Sequence, residues 1–165
     1  MNERPILFCA PMVRAILSGC KCTTRRVIRP QPKRVHAWNG RYLLTERFSE
    51  RNEDQACPYG VVGDRLWVRE TWSEGEQYDT SPVYRADGEG PWKWHPSIFM
   101  PRWASRIDLE ITGVSVDRVQ NIDPLDIERE GLNCGTWEQF GALWDRINGQ
   151  RTEEAFAENP WVWII

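Results

Sequence analysis

The sequence predicts an α+β protein built on a small β-barrel with flanking helices, and three observations carry that expectation. Short β-type runs of uneven length recur from the N-terminus to the last residues. Two segments near the C-terminus carry clear helix-start signals. No linker, repeat or low-complexity tract divides the 165 residues, so 1–165 is expected to form a single domain with a real core.

The elements follow in order. Pro5 to Cys9 is a short apolar run that reads as a strand. Ala10 to Ser18 places Met12, Ile16 and Leu17 at helical spacing, with Gly19 suited to closing the helix. Cys20 to Pro30 is polar and basic and runs into Pro-Gln-Pro, which reads as a loop or an irregular edge segment. Asn39-Gly40 between Val35–Trp38 and Arg41–Leu44 has the form of a two-residue hairpin turn. Ser49 to Ala56 is polar and reads as an exposed loop.

Arg65 to Trp72 is a strong strand entered through Gly63-Asp64. Leu66, Val68 and Glu70 alternate there with Trp67, Arg69 and Thr71. Val83 to Ala86 reads as a short strand and Asp87 to Pro96 as a loop. Ile107 to Val119 alternates over a long span, with Gly113 as a bulge or bend.

Asp123-Pro124 opens a helix, with Asp as the cap and Pro in the first helical position. Thr136-Trp-Glu-Gln139 is a capping box for another helix. Trp137, Phe140, Leu143, Trp144 and Ile147 form its apolar stripe and Gly149 ends it. Thr152 to Glu158 holds a further helical turn or two, and Trp161 to Ile165 closes the chain as a strand behind Pro160.

Composition narrows the classes. No apolar run approaches the roughly 20 residues that span a bilayer, and the first residues lack a basic stretch leading into a long apolar one. The expectation is a cytoplasmic protein with no membrane partner. Five cysteines (Cys9, Cys20, Cys22, Cys57, Cys134) do not form a disulfide framework. Cys20-Lys21-Cys22 is too tight for a zinc knuckle, and only His36 and His95 add nitrogen ligands. Neither metal nor cofactor is expected.

The net charge of −3 hides an asymmetry: eight basic residues up to Arg34 face Glu3 alone, so that block is +7 and the remainder −10. It reads either as a local anion site or as a solvated face with counter-charges nearby. Most of the ten tryptophans read as core, with a minority beside basic residues available for base stacking.

The densest polar constellation is Gly19-Cys-Lys21-Cys-Thr-Thr24-Arg25-Arg26. Arginine offers a planar fork of donors for phosphate or base edges, and a desolvated lysine can act as a base. From these residues alone, a functional site and a solvated basic loop both stand. The segment resembles the G-x-K-x-x-T-x-R signature of ASCH domains, relatives of the PUA fold. Much of the rest resembles the longer ASCH proteins of bacteriophages and prophages, through PILFCAPMVRAIL, CPYGVVGDRLWVRETW, MPRWASRI, EREG and NPWVWII.

The resemblance implies a PUA-like barrel, a bacterial host cytoplasm, and a cleft into which Lys21 and Thr24 project. In ASCH enzymes that deacetylate N4-acetylcytidine, a Lys, a Thr and a Glu form the catalytic set. The Glu lies in a stretch opening a helix, which is matched here by Glu128-Arg-Glu130-Gly131, so Lys21, Thr24 and Glu130 are the expected catalytic residues. Arg25, Arg26, Glu70, Trp72 and Trp103 are the expected substrate-binding residues. Glu70 would pair with Arg25 or Arg26 or read a base edge, and Trp72 or Trp103 would stack. The other reading of these last residues is an internal salt bridge and packed indoles.

Two function classes follow. One is a metal-independent amidohydrolase acting on a modified nucleobase or nucleoside of the N4-acylcytidine type. The other is a non-catalytic module binding RNA or single-stranded nucleic acid. Some ASCH proteins cut RNA, but no separate residues here argue for a ribonuclease. A phage accessory protein acting on another protein is a third reading.

Overall fold

The structure, a computed structural model, describes residues 1–38, 41–45, 56–75, 81–90, 93–133 and 135–165. In chain order its elements are β1 (Glu3–Leu7), α1 (Ala10–Leu17), β2 (Arg25–Val27), β3 (Arg34–Trp38), β4 (Arg41–Thr45), β5 (Arg65–Arg69), β6 (Trp72–Ser73) and β7 (Val83–Tyr84). They continue with β8 (Asp108–Glu110), β9 (Ser115–Arg118), α2 (Pro124–Arg129), α3 (Trp137–Asn148) and β10 (Trp161–Ile164). The class is α+β, as expected. Among the described residues the strands form two three-stranded and two two-stranded sheets, all open, so no closed barrel is formed. Among the described residues no helix is long and apolar enough to cross a membrane.

The chain gathers into two compact units, one of Met1–Cys20 with Tyr59–Thr112 and one of Lys21–Pro58 with Gly113–Ile165. In the first, β5 is the centre of a sheet ordered β1–β5–β8, parallel to β1 and antiparallel to β8. Alternation puts Ile6, Leu66 and Val68 on the buried face. On the other face Trp67 lies under the guanidinium groups of Arg69 and Arg102, at 5.2 and 5.8 Å.

Helix α1 forms where expected and closes on Gly19 at φ +75°, a conformation that favours glycine. Its inward face differs from the expected stripe: Val13 and Ala15 are buried, whereas Leu17 is 53% exposed. The expected strand Arg65 to Trp72 is two strands. At Glu70 the backbone N–H turns to the Met100 sulfur at 3.2 Å, and beyond it β6 pairs with β7. Arg85–Asp87, at the end of the expected Val83 to Ala86 strand, forms a short 3-10 turn.

The second unit is built on a fully antiparallel sheet ordered β2–β10–β9. Its core joins Val162 of β10 to Val119, Ile122, Ile127, Phe140, Trp144 and Phe156. Helix α3 is set by the expected capping box, with Thr136 and Gln139 bonded reciprocally. Phe140 and Trp144 of its stripe are buried, while the outer members Trp137 and Ile147 are exposed. Thr152–Glu154 and Phe156–Glu158 are the expected helical turns, both of 3-10 type.

Strands β3 and β4 pair antiparallel in the expected hairpin register, with the Asn39-Gly40 turn itself outside the described residues. Most of the expected Ser49 to Ala56 loop also lies outside them. The long alternating run Ile107 to Val119 is not one strand. It is β8 and β9 in different sheets, interrupted around Gly113 where the chain passes between units.

Candidate active site

The segment expected to carry chemistry is held from both sides within the second unit. Cys22 and Thr23 donate their backbone N–H groups to Arg129 O at the end of α2, at 2.9 and 3.1 Å. Lys21 forms an isolated antiparallel bridge with Glu130. On the opposite side Thr24 exchanges backbone hydrogen bonds with Ile165 at 2.9 and 3.1 Å, and β2 continues that pairing along β10. Thus Lys21 to Val27, read as a loop or edge segment, is threaded between a helix end and a strand.

Glu130 does not open a helix, as the resemblance implied; it caps the C-terminal end of α2. The helix starts at Pro124 behind the Asp123 cap, whose side chain accepts from Asp126 N at 2.8 Å. It stops after six residues because Gly131 takes φ +92° and turns the chain away. A carboxylate at a helix C-terminus faces the negative end of the helix dipole. Glu130 is also buried, so its charge requires cations.

Those cations are Lys21 and Arg25. Lys21 Nζ donates to Glu130 Oε2 at 2.7 Å, to Glu130 O at 3.0 Å and to Thr23 O at 2.6 Å, which engages all three of its hydrogens. The same ammonium therefore neutralises the carboxylate and satisfies a carbonyl of the helix end. Arg25 Nη1 donates to Glu130 Oε1 at 3.1 Å, and its Nη2 donates to Asp126 Oδ2 at 2.6 Å.

Burial pushes the Lys21 ammonium below its ordinary pKa. Glu130 pulls it back up, and the charges of Arg26 and Arg25 add to the lowering.

The structure thus brings Lys21, Arg25 and Glu130 together, although Glu130 lies 109 residues from Lys21. Thr24 is buried on the same segment. No family model, curated protein or solved structure matches this chain. The site therefore has to be read from its own geometry.

Other expected binding residues are placed differently. Arg26 is half-buried in β2, opposite Trp163 of β10. Glu70, Trp72 and Trp103 belong to the first unit. Glu70 is buried and pairs there with Arg106, at 2.9 and 3.2 Å, rather than with Arg25 or Arg26. Arg106 also forks onto Asp87 at 2.7 and 2.8 Å and lies 3.9 Å over the Tyr84 ring. Burial alone would push Arg106 down, but the bonds to Glu70 and Asp87 outweigh it and hold the guanidinium above its ordinary value.

Trp72 is likewise buried, against Met100 and Ala104 and beside the rings of His95 and Trp103. The internal-salt-bridge reading thus describes Glu70 and Trp72. Trp103, 65% exposed, is the indole that remains open.

Sequence reasoning missed Asp126. Its signal was available: Asp126 and Glu130 are four apart, one turn along α2, so one helix edge offers two carboxylates to Arg25. It also missed Glu154, which takes the Arg29 guanidinium in a fork at 2.6 and 2.6 Å. Lys21, Arg25 and Arg29 of the N-terminal basic block are therefore matched by acidic groups distant in sequence, as the counter-charge reading expected.

Proposed function

We propose that the protein is a metal-independent amidohydrolase removing an acyl group from the exocyclic amine of a nucleobase or nucleoside, of the N4-acylcytidine type. The meeting of Lys21 with Glu130 at 2.7 Å carries this reading, because nothing local in the sequence brings an amine and a carboxylate into one buried pair. The resemblance of Gly19–Arg26 to the ASCH signature supplies the substrate class, and a single PUA-like domain is the fold proposed with it.

In this scheme the Lys21 ammonium hands its proton to the Glu130 carboxylate as substrate enters, and the amine so freed takes a proton from the Thr24 hydroxyl or from water. The oxygen adds to the acyl carbon, and the C–N bond breaks. The proton passes to the leaving exocyclic amine through Glu130 or Lys21. Where Thr24 has attacked, water then cleaves the ester it formed; by either route one molecule of water is consumed, and a carboxylate and a free amine leave. The Arg25 guanidinium holds Glu130 Oε1 between turnovers.

The test is incubation with N4-acetylcytidine and a series of longer acylcytidines, with and without chelator, following cytidine by chromatography. Cytidine formation indifferent to chelator is expected. Absence of turnover on every member overturns the hydrolase reading, and loss on chelation overturns its metal independence.

One observation favours the binding-module reading: every hydrogen of the Lys21 ammonium and both Glu130 oxygens are already engaged. A closed cage of this kind suits a scaffold for an RNA- or single-strand-binding surface. Such binding would weaken with salt and persist, reduced, in Lys21→Ala. Failure to bind either polymer at low salt removes this alternative.

A further inference from the structure

The Lys21–Glu130 pair is the inner half of a longer row. Arg25 joins it to Asp126, so four charges of alternating sign run Asp126, Arg25, Glu130, Lys21. The ends differ. The Lys21 side chain is 3% exposed, whereas that of Asp126 is 27% exposed and its second oxygen lies 3.5 Å from the Arg129 guanidinium. Arg25 itself is almost wholly enclosed, and its Nε–H is buried with no hydrogen-bond partner. The guanidinium therefore leaves its Nε–H unused and divides its charge between two carboxylates.

Division of one cation between two anions couples them. Attraction that Arg25 gives to Asp126 is withheld from Glu130, and what Glu130 keeps is available to Lys21. We propose that Asp126 is a positioning residue acting through Arg25: by holding one side of the guanidinium it leaves Glu130 charge for Lys21, and so sets how readily the Lys21 amine sheds its proton. The proposal rests on the reading of Lys21 as the base, but its test needs no hydrolysis. Charged groups facing Lys21 are Glu130 from α2, with Arg26 and Arg25 from β2. The two arginines push its proton off and Glu130 retains it.

Directions follow for each variant. Asp126→Asn releases Arg25 onto Glu130, which slackens on Lys21, so the Lys21 midpoint falls. Arg25→Gln leaves Glu130 to Lys21 alone and removes a neighbouring cation, so the midpoint rises. Shifts of roughly half a pH unit or more are expected for a charge placed this close. Asp126→Glu restores the carboxylate and should return the midpoint toward that of the wild type.

The sequence holds three lysines, Lys21, Lys33 and Lys93, so the full chain labelled with 13Cε-lysine gives three signals, assignable through Lys33→Arg and Lys93→Arg. Their chemical shifts are followed against pH. A fall in Asp126→Asn reversed in Asp126→Glu supports the relay, and so does a rise in Arg25→Gln. An unmoved or raised midpoint in a folded Asp126→Asn protein overturns it. If Arg25→Gln does not fold, the two Asp126 variants decide alone. Shifts as expected without acylcytidine turnover leave the relay standing and the hydrolase reading defeated; turnover with an unmoved Asp126→Asn midpoint does the reverse.

Discussion

Two ionic clusters, one in each unit and each built around a buried carboxylate, are made of similar parts and differ in what they can do. Around Arg106 in the first unit, one guanidinium is saturated by two carboxylates and stacked on Tyr84. Around Glu130 in the second unit, one carboxylate is held by a lysine and an arginine at a helix end. Arginine stays charged throughout the working range of a protein, so the first cluster can only hold structure. Lysine shifts its pKa when buried, so the second contains a proton that can move. The cluster with a titratable cation beside a buried carboxylate is the candidate for chemistry, and the one with a saturated guanidinium is a brace.

The largest expected effect is from Glu130→Ala. It strands Lys21 and Arg25 with most of their counter-charge gone, at a cost of about 3–5 kcal/mol, as for other broken buried pairs. Urea unfolding followed in the second unit, for example by Trp144 fluorescence in a background of replaced tryptophans, measures it. The two clusters can then be interchanged in kind. Arg106→Lys loses both forks and the ring contact and should destabilise the first unit by about 2 kcal/mol. Lys21→Arg keeps the charge but enlarges a packed site and removes the movable proton. It should cost stability by a similar amount, roughly 1–3 kcal/mol, and abolish turnover. A Lys21→Arg protein that still turns over at the wild-type rate would remove the lysine from the mechanism.

Titration gives a smaller effect, with the same sign at the two ends of the pH range. Glu154 is held below its ordinary carboxylate value by the hydrogen bonds from Arg29. Its contribution is complete above pH 4.5 and is lost as pH falls through its folded value. Lys21, lowered mainly by burial, has the same sign in the alkaline range, where rising pH relieves the cost of burying its charge. Between its folded value and 10.5 the unfolded chain keeps a proton that the folded chain has shed, so stability contributed by this group rises with pH. Stability profiles of Glu154→Gln and Lys21→Gln should flatten the acid and the alkaline limb respectively. The smallest effect is Asp87→Asn: the Asp87 side chain is 52% exposed, and the loss should stay below about 1 kcal/mol by thermal unfolding.

Much of the second unit could be read from the chain. Thr136, Gln139 and Asp123 announce their helices through local hydrogen bonds that need no tertiary context. The termination of α2 could not be read in the same way. Gly131 was visible, but the helix that it closes is only six residues long, and short helices carry little periodic signal. The split of Ile107 to Val119 was also hidden. Alternation continues through β8 and β9, and only the change of sheet partner divides them.

Lys21 and Glu130 were named together through family resemblance alone, since no spacing rule links residues so far apart. Asp126 was missed, and the internal salt bridge of Glu70 was foreseen without its partner Arg106, because the partner of an ion pair in a fold of this kind is chosen by long-range packing.

Comparison of initial rates on N4-acetylcytidine for the wild type, Glu130→Gln and Asp87→Asn tests the account most directly. It predicts cytidine release by the wild type, a fall of about 10²–10⁴ in Glu130→Gln, as for loss of a positioned acid–base group, and a rate within a few fold of wild type in Asp87→Asn. Equal rates in Glu130→Gln and the wild type would contradict it.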